Sequence, residues 1–421
     1  MNPLPLEPHP AIHRIRPKVF YGWFIVAATF ILGFVSVGIG FYGQTVFLDG
    51  LIQEKGWSKA SVSGASTVFF MVAGAAGVLV GRAVDRWGSR RMLTAGALCM
   101  ATALLWLGRV DSPGELYLVY SMLAVSFAMS AAIPLSGLVN RWFVWQRSSA
   151  MSFAQTGVSV GGLFLVPFAT GLIGSRGIGT AAPALALLVL AVALPVVIFV
   201  VRDDPTPLGL QPDGGRAAPE HRSTRSTGAS ERAWRARDAI RTRTFVVMSG
   251  SFAGILLCQT GVAVHHLHLL REHMPTAQAA IGAATIPLGS IVGRLIAGRL
   301  ADRIDKRRVA GTLFALQGLA ILALSFAVQP VPLLITSLLF GLTIGAVFML
   351  QGLLTVELFG VQSYGTVFGA LNLVTGIGGG LGPFTLGVLA DALGGYSNAL
   401  RTLLLIVPMA AIGVTRVRAP S

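Results

Sequence analysis

The chain has 421 residues, 54% of them in the apolar set AVILMFWYC and only 12% charged, with a mean hydropathy of +0.72. A soluble globular protein is about a quarter charged, so this composition excludes one, and the apolar content excludes disorder over most of the chain. The net charge of +15 does not read as a nucleic-acid surface: the arginines sit in short clusters between long apolar runs, the positive-inside pattern of a polytopic membrane protein.

Charge-free runs occupy 19–48, 60–81, 92–108, 116–140, 148–175, 177–201, 244–270, 273–293, 309–356, 358–390 and 402–415. A spanning helix needs about 20 mostly apolar residues. The run 309–356 is broken at Gln329-Pro330-Val331-Pro332, a turn signal, and counts as two. The last run is short, but Arg401 and Arg416 at its ends are able to snorkel. Twelve helices result. The first run is too long for the apolar core of a cleaved signal peptide, and the ten-residue alternating segments of a β-barrel are absent.

With both termini in the cytoplasm, the outer loops hold Lys55, Lys59, Arg109, Arg176, Arg271 and Arg401, six of the 32 Lys and Arg. The rest lie inside or near the inner ends, Arg294 being placed within a helix. This bias sets the orientation of a multi-pass protein of the plasma or inner membrane. Residues 1–18 read as a cytoplasmic tail, 19–201 as one bundle, 202–243 as a cytoplasmic linker rich in Pro, Ser, Thr and Arg, and 244–421 as a second bundle with a short tail. Residues 229–241, with Trp234, have the makings of a basic amphipathic helix, but the weak apolar face favours a solvated linker.

The two bundles carry an internal repeat. Gly81-Arg82-Ala83-Val84-Asp85-Arg86-Trp87-Gly88-Ser89-Arg90-Arg91 follows the second predicted helix, and Gly298-Arg299-Leu300-Ala301-Asp302-Arg303-Ile304-Asp305-Lys306-Arg307-Arg308 follows the eighth. At a nearly equal offset, Ala154, Gly162, Pro167, Phe168 and Gly171 match Ala370, Gly378, Pro383, Phe384 and Gly387. The expectation is an all-α membrane protein with twelve transmembrane helices in two pseudo-symmetric six-helix bundles. Repeats of this kind place the substrate near the midplane, between the halves.

The loop motif, its second copy, the twelve helices and the long central linker resemble the major facilitator superfamily over nearly the whole chain outside the linker and the N-terminal tail. The second copy departs from the family pattern at Asp305, where the family has Gly, so an altered turn is expected there. The resemblance implies that Asp85 helps lock the two halves in one of the alternating states. Gly81 and Gly88 permit close approach and tight turns, and Asp85 either pairs with the neighbouring arginines or sits at a helix N-terminus. Arg86, Arg91, Gly298, Asp302 and Arg303 complete the two motif copies, and Arg141 and Glu357 are further candidates for the gating network. Four local features look like the monocarboxylate-porter and oxalate/formate-antiporter branch: Tyr21-Gly22-Trp23, Gly56-Trp57-Ser58, Asn140-Arg141-Trp142-Phe143 with Arg147, Ala150 and Gly157, and the stretch from Gly365 through Gly382-Pro383 to Asp391 and Tyr396. The drug/proton antiporters of the superfamily carry a Gly-Pro signature late in the fifth helix. Here Gly161-Gly162 and Pro167 are not adjacent in that form, which lowers a drug-efflux reading.

Charge inside the membrane is scarce and therefore informative. Arg294 lies four residues before Gly298, and its repeat partner is Gly77, so the fold itself does not demand the charge. In the branch it resembles, an Arg at this place is a substrate-carboxylate ligand, often paired with an acid one turn earlier; here that place holds Ser290. The rival reading is an arginine snorkelling to the inner interface, since four residues are only about 6 Å of helix. His265 and His268 share a helical face and are candidates for proton coupling, because histidine titrates near neutrality; a metal site is disfavoured, as no Asp, Glu or Cys flanks them. Tyr42, Gln44, Gln155, Ser159, Gln259, Gln351 and Asn372 are candidates to face a central cavity. No nucleotide loop, nucleophile–His–acid set or metal-ligand cluster is visible, so neither an enzyme nor a cofactor is expected.

The function expected from these readings is secondary active transport of a small organic anion, in particular a monocarboxylate, by alternating access, with a proton as a further partner and a monomer as the working unit. The alternatives are an efflux porter for another small molecule and a membrane sensor that binds its ligand without moving it.

Overall fold

The computed structural model describes residues 19–57, 59–215, 234–275, 278–279 and 282–418. Among the described residues, twelve main helical segments form the two bundles. In chain order they are α1 (Gly22–Val37, continued through a π-turn Gly38–Tyr42 into Gly43–Lys55), α2 (Lys59–Trp87), α3 (Ser89–Leu107), α4 (Pro113–Ser130 and Ala132–Trp142), α5 (Arg147–Arg176) and α6 (Ile178–Pro195, with a π-turn Val196–Val200). After the linker come α7 (Arg243–Arg271), α8 (Thr285–Arg303), α9 (Lys306–Leu324), α10 (Pro330–Phe359), α11 (Tyr364–Ala392) and α12 (Tyr396–Leu403 and Ile406–Arg416). No strand occurs among the described residues.

Ten of these are long and apolar enough to cross a membrane by length and composition. The other two are α3, which opens on Ser89-Arg90-Arg91, and α8, which carries Arg294, Arg299 and Asp302. The expected break at Gln329-Pro330 is the N-terminus of α10, with Pro330 in the first turn, where its missing N–H is harmless. The proposed amphipathic helix falls partly outside the described residues; what is described is a single helical turn, Ala236–Ala239. The N-terminal tail, 1–18, also lies outside them.

Glycine decides where helices meet. Gly157 and Gly161 of α5 sit against the Phe30 and Phe34 backbone of α1, and Gly378 and Gly382 of α11 sit against Ala253 and Leu257 of α7. In α8 and α10 two small-residue ridges face each other: Gly289 and Gly293 against Leu338 and Leu342, Gly341 and Gly345 against Ile286 and Ser290. Small residues at four-residue spacing let membrane helices approach backbone to backbone. Pro383 frees the Gly379 carbonyl inside α11, and the Thr260 hydroxyl of α7 donates to it at 2.6 Å.

The halves meet chiefly along two crossings, α2 against α11 and α5 against α8, with smaller contacts of α10 to α5 and of α11 to α4. The glycine approaches across them run from Gly74 against Leu373 to Gly81 against Gly365, and include Gly298 against Ser148 and Ser152. They lie toward the end of the bundle that carries the linker. Gly376 and Gly380, further along α11 toward the other end, face open space.

Candidate functional site

Two aspartates close the linker end, and they do so by the same geometry. Asp85 of α2 accepts hydrogen bonds from the backbone N–H of Gly365 and of Thr366, each at 2.8 Å, and from the Thr366 hydroxyl at 2.7 Å. Asp302 of α8 accepts from the backbone N–H of Ser148 and of Ser149, each at 2.9 Å. These N–H groups belong to the first turns of α11 and α5, which lack intrahelical acceptors. The flanking residues Ser363 and Gln146 make no side-chain cap of their own, so each half caps a helix of the other. A carboxylate at a helix N-terminus is further favoured by the helix dipole. Gly81 has no room for a Cβ against the Gly365 carbonyl, nor Gly298 against Ser152; these glycines bring the aspartates into reach.

The second motif copy does have an altered turn. Gly88 adopts φ 85°, ψ 162°, a conformation open to glycine, and the Arg90 N–H after it donates to Asp203 from the segment following α6, at 2.9 Å. At the matching place Asp305 adopts φ −56°, ψ 122° and itself accepts from the Arg307 N–H at 2.9 Å, while the Arg307 guanidinium closes on the same carboxylate at 2.6 Å. Burial raises the Asp305 carboxyl, but the hydrogen bonds and charge of Arg307 outweigh it and hold the group below its ordinary value.

Between these clasps and the middle of the bundle lies Arg294. It is 5% exposed and does not snorkel. Its Nε donates to the Gly345 carbonyl of α10 at 3.0 Å. Its Nη1 donates to the Ser159 hydroxyl of α5 at 3.2 Å and to the Gln155 carbonyl. The facing glycine ridges of α8 and α10 bring the Gly345 carbonyl within reach. These described bonds leave Nη2 unused, and among the described residues no carboxylate forms a salt bridge with Arg294. The Tyr42 hydroxyl lies within electrostatic reach of it. Tyr42 ends the π-turn of α1, is 37% exposed, and packs its ring against Gly162 of α5.

A family model described as Major Facilitator Superfamily matches residues 30–383 and 260–420. The chain belongs to the Major Facilitator Superfamily. This facilitator is 23% identical to the MFS transporter asaE of Aspergillus flavus, over 89% of this chain and 82% of that one. It is 27% identical to monocarboxylate transporter 11 of Mus musculus, over 94% and 86%. The solved transporter FucP, in its outward conformation, superposes with a TM-score of 0.72 over 94% of this chain and 99% of that one, at 15% identity.

The other residues singled out in this facilitator's sequence are dispersed. Gln351 donates to Thr375 at 2.9 Å and is 1% exposed. Asn372 donates to the Phe368 carbonyl of its own helix. Gln44 donates to the Gly40 carbonyl of its own helix, and its backbone carbonyl accepts from Tyr120. Gln259 is buried with its Oε1 unpaired. The Gln155 side chain donates to Ser136 at 3.4 Å. Arg141 lies within electrostatic reach of Asp85; Glu357 pairs with Lys306 inside its own half, at 2.5 Å, and lies within electrostatic reach of Arg147 of the other half. Arg86 stacks over Trp87, and Arg303 is exposed, as is Arg91, which lines a surface cavity with Trp87 and Asp203. His265 bonds the Tyr396 hydroxyl at 2.9 Å through Nδ1 and the Pro383 carbonyl at 3.0 Å through Nε2. A carbonyl only accepts, so Nε2 donates to Pro383; in the neutral ring Nδ1 then accepts from the Tyr396 hydroxyl. The side chain of His268 lies outside the described residues.

Sequence reasoning missed one element. Asp213, in the linker at φ 55°, accepts from the N–H groups of Val144 and Trp145, each at 2.8 Å. It thereby ties the linker to the turn that opens α5. Its neighbours Pro212 and Gly214 read as an ordinary turn, and nothing in the sequence names its distant partners.

Proposed function

We propose that this chain is a secondary transporter that moves a small organic anion, in particular a monocarboxylate, by alternating access of two halves, 19–201 and 244–421, joined by the linker 202–243. The observation that carries the reading is Arg294: a buried guanidinium with backbone and hydroxyl partners, an unused Nη2 and no carboxylate among its described partners. A buried charge is retained where it is paired, and a substrate carboxylate supplies the missing anion through two parallel N–H···O bonds. Tyr42 adds a hydroxyl on the α1 side. The name of a relative, monocarboxylate transporter 11, agrees with this chemistry.

On this reading both termini and the clasps of Asp85 and Asp302 are cytoplasmic, and the described conformation is closed to the cytoplasm. Superposition with a transporter in its outward conformation supports that assignment. Binding in the outward state and release in the inward state require both clasps to break. The test is uptake of labelled carboxylates by proteoliposomes, with and without a pH gradient, beside a thermal-shift panel that includes hydrophobic cations. Saturable carboxylate flux is expected; stabilisation by hydrophobic cations alone, or binding without flux, refutes the proposal.

A further inference from the structure

The linker end of the first half carries a cavity that the clasps do not use. It measures about 510 Å³ and is lined by Trp87, Arg90, Arg91, Thr94, Ile198 and Asp203, within the size of small-ligand clefts, about 300–1,000 Å³. It lies where α2 ends, α3 begins and α6 ends. These last two helices pack on each other at the edge of the first half, outside the main crossings to the second. On α3, Arg91, Leu98 and Leu105 recur every seven residues, which puts them on one face, and all three are exposed. On α6, Leu187, Ala191 and Ile198 are exposed in the same way. An exposed apolar face on the rim of a membrane bundle is the face that meets lipid chains, so the cavity opens at the foot of a lipid-facing groove. Charge at the cavity is unbalanced. The Arg90 guanidinium donates to the Ile198 carbonyl at 2.6 Å and to the Val197 carbonyl at 3.2 Å, neutral partners that leave its charge in place. Arg202 binds the Ile198 and Val201 carbonyls, and Arg86 stands over Trp87. The one carboxylate in the lining, Asp203, accepts from the Arg90 N–H at 2.9 Å. In the second half the matching guanidinium, Arg307, closes on Asp305, so there the charge is met within the motif.

We propose that this cavity binds the phosphate group of an anionic phospholipid, with Arg91 as its principal ligand, the Arg90 charge beside it, and the acyl chains lying along Leu98, Leu105 and Ile198. Arginine suits the task because its planar fork matches two phosphate oxygens at once. Trp87 stands at the level where tryptophan settles in a bilayer, between headgroups and chains. Basic pockets between helices on the cytoplasmic side meet the leaflet that is richer in anionic lipid. The choice of leaflet rests on the orientation adopted for the transport reading; the chemistry of the cavity does not. A free phosphate carries the same charge, but it gains nothing from the apolar groove that leads away from the cavity, whereas a phospholipid fills both.

The test uses the full-length protein in phosphatidylcholine nanodiscs, without substrate, and follows the quenching of Trp87 by lipids brominated on their acyl chains. The Trp87 signal is the difference between a protein and the same protein carrying Trp87→Phe. Brominated phosphatidylglycerol is expected to quench it with an apparent affinity about tenfold or more above that of brominated phosphatidylcholine. Arg91→Gln should erase most of that preference, and Arg91→Lys, which keeps the charge without the fork, should retain part of it. Arg308→Gln removes the exposed arginine at the repeat position of Arg91; because salt confines the reach of a surface charge to about 8–10 Å, it should leave the preference within about twofold. Equal quenching by the two lipids overturns the proposal, since the contact is then ordinary boundary lipid. An equal loss in Arg308→Gln also overturns it, since the attraction is then diffuse charge. Displacement of phosphatidylglycerol by millimolar inorganic phosphate overturns it in favour of a free-anion site. Nanodiscs present the same lipids to both ends of the bundle, so a failed lipid site leaves the orientation and the transport reading standing, and an inverted orientation leaves the lipid site standing.

Discussion

Replacing Arg294 by Lys keeps the charge and discards the fork, so it separates a ligand-binding arginine from one that merely fills space. In the structure the guanidinium bridges two helices, reaching the Gly345 carbonyl on α10 through Nε and Gln155 and Ser159 on α5 through Nη1. A lysine ammonium is a single point and does not span both sides while also presenting a second parallel donor to a carboxylate. At least one charge-assisted bond is lost in the ligand complex, worth about 1.5–3 kcal/mol. That corresponds to a roughly 10- to 150-fold rise in the apparent KM or Kd. Arg294→Ala removes the charge altogether and is expected to abolish uptake. It should still fold, because placing a guanidinium in the membrane costs at least about 2.5–3.5 kcal/mol on insertion scales and the repeat tolerates Gly77 at the matching position. The assay is carboxylate uptake at matched membrane expression, together with ligand-induced thermal shift for each variant. Near-normal uptake by Arg294→Lys would falsify the ligand role and leave Arg294 as a structural bridge between α5 and α10.

Other outcomes follow from the clasps and from α7. Asp85→Asn and Asp302→Asn each weaken charge-assisted bonds between the halves and should move the gate toward the cytoplasm-open form by about tenfold or more; spin-label distances between the halves check this, and an unchanged distribution would mean that the clasps do not hold the gate. Gly81→Val has no room against the Gly365 carbonyl, so it should open the α2–α11 clasp while leaving α5–α8 closed, read from label pairs on each side. His265→Phe removes both bonds that tie α7 to α11 and α12. A loss of about 1–3 kcal/mol of stability is expected, with the pH profile of flux unchanged; a displaced profile would instead make His265 a coupling residue.

Much of the fold was legible because charge punctuates the chain. The runs between arginines are helix-length, Gln329-Pro330 marks the start of α10, and the motif copies announce the duplication. The site was legible only where a side chain departs from its surroundings, as Arg294 does in α8. What it touches was not legible, since backbone carbonyls and N–H groups carry no residue signature. For the same reason Asp85 and Asp302 stood out while their partners, the first turns of α11 and α5, did not. The facing ridges Gly289/Gly293 and Gly341/Gly345 were the available signal that α8 and α10 pack closely enough to bring a carbonyl to Arg294. The branch motifs serve packing: Tyr21, Trp23, Trp142 and Phe143 form one aromatic cluster joining α1 to α4, and Gly56 ends α1 in the left-handed region. Two of the central glutamines bond a neighbouring helix, Gln351 to Thr375 and Gln155 to Ser136, as polar side chains in membrane helices commonly do.

The two motif copies solve one problem in two ways, and that difference is testable. Helices α3 and α9 each need an acceptor for the N–H of Arg90 or Arg307. In the first copy the acceptor is Asp203, brought from beyond α6, and Gly88 leaves no room for a Cβ against that carboxylate. In the second copy no such visitor is described, and Asp305, standing where the first copy has Gly88, supplies the cap itself. Gly88→Ala forces a side chain into a backbone region costing about 1–3 kcal/mol and displaces Asp203 as well. Asp305→Gly removes an N-cap, about 0.5–2 kcal/mol, and the partner of the Arg307 guanidinium. Because the folded carboxyl of Asp305 is held below its ordinary value, its stabilisation is complete at neutral pH and fades only as pH falls from the usual carboxylate value, about 3.9, through the lower folded one. Thermal unfolding should therefore show Gly88→Ala and Asp305→Gly both destabilised at pH 7, with the Asp305→Gly deficit shrinking toward pH 3 and the Gly88→Ala deficit persisting. Equal pH dependence of the two deficits would show that the Asp305 carboxylate is not what caps α9.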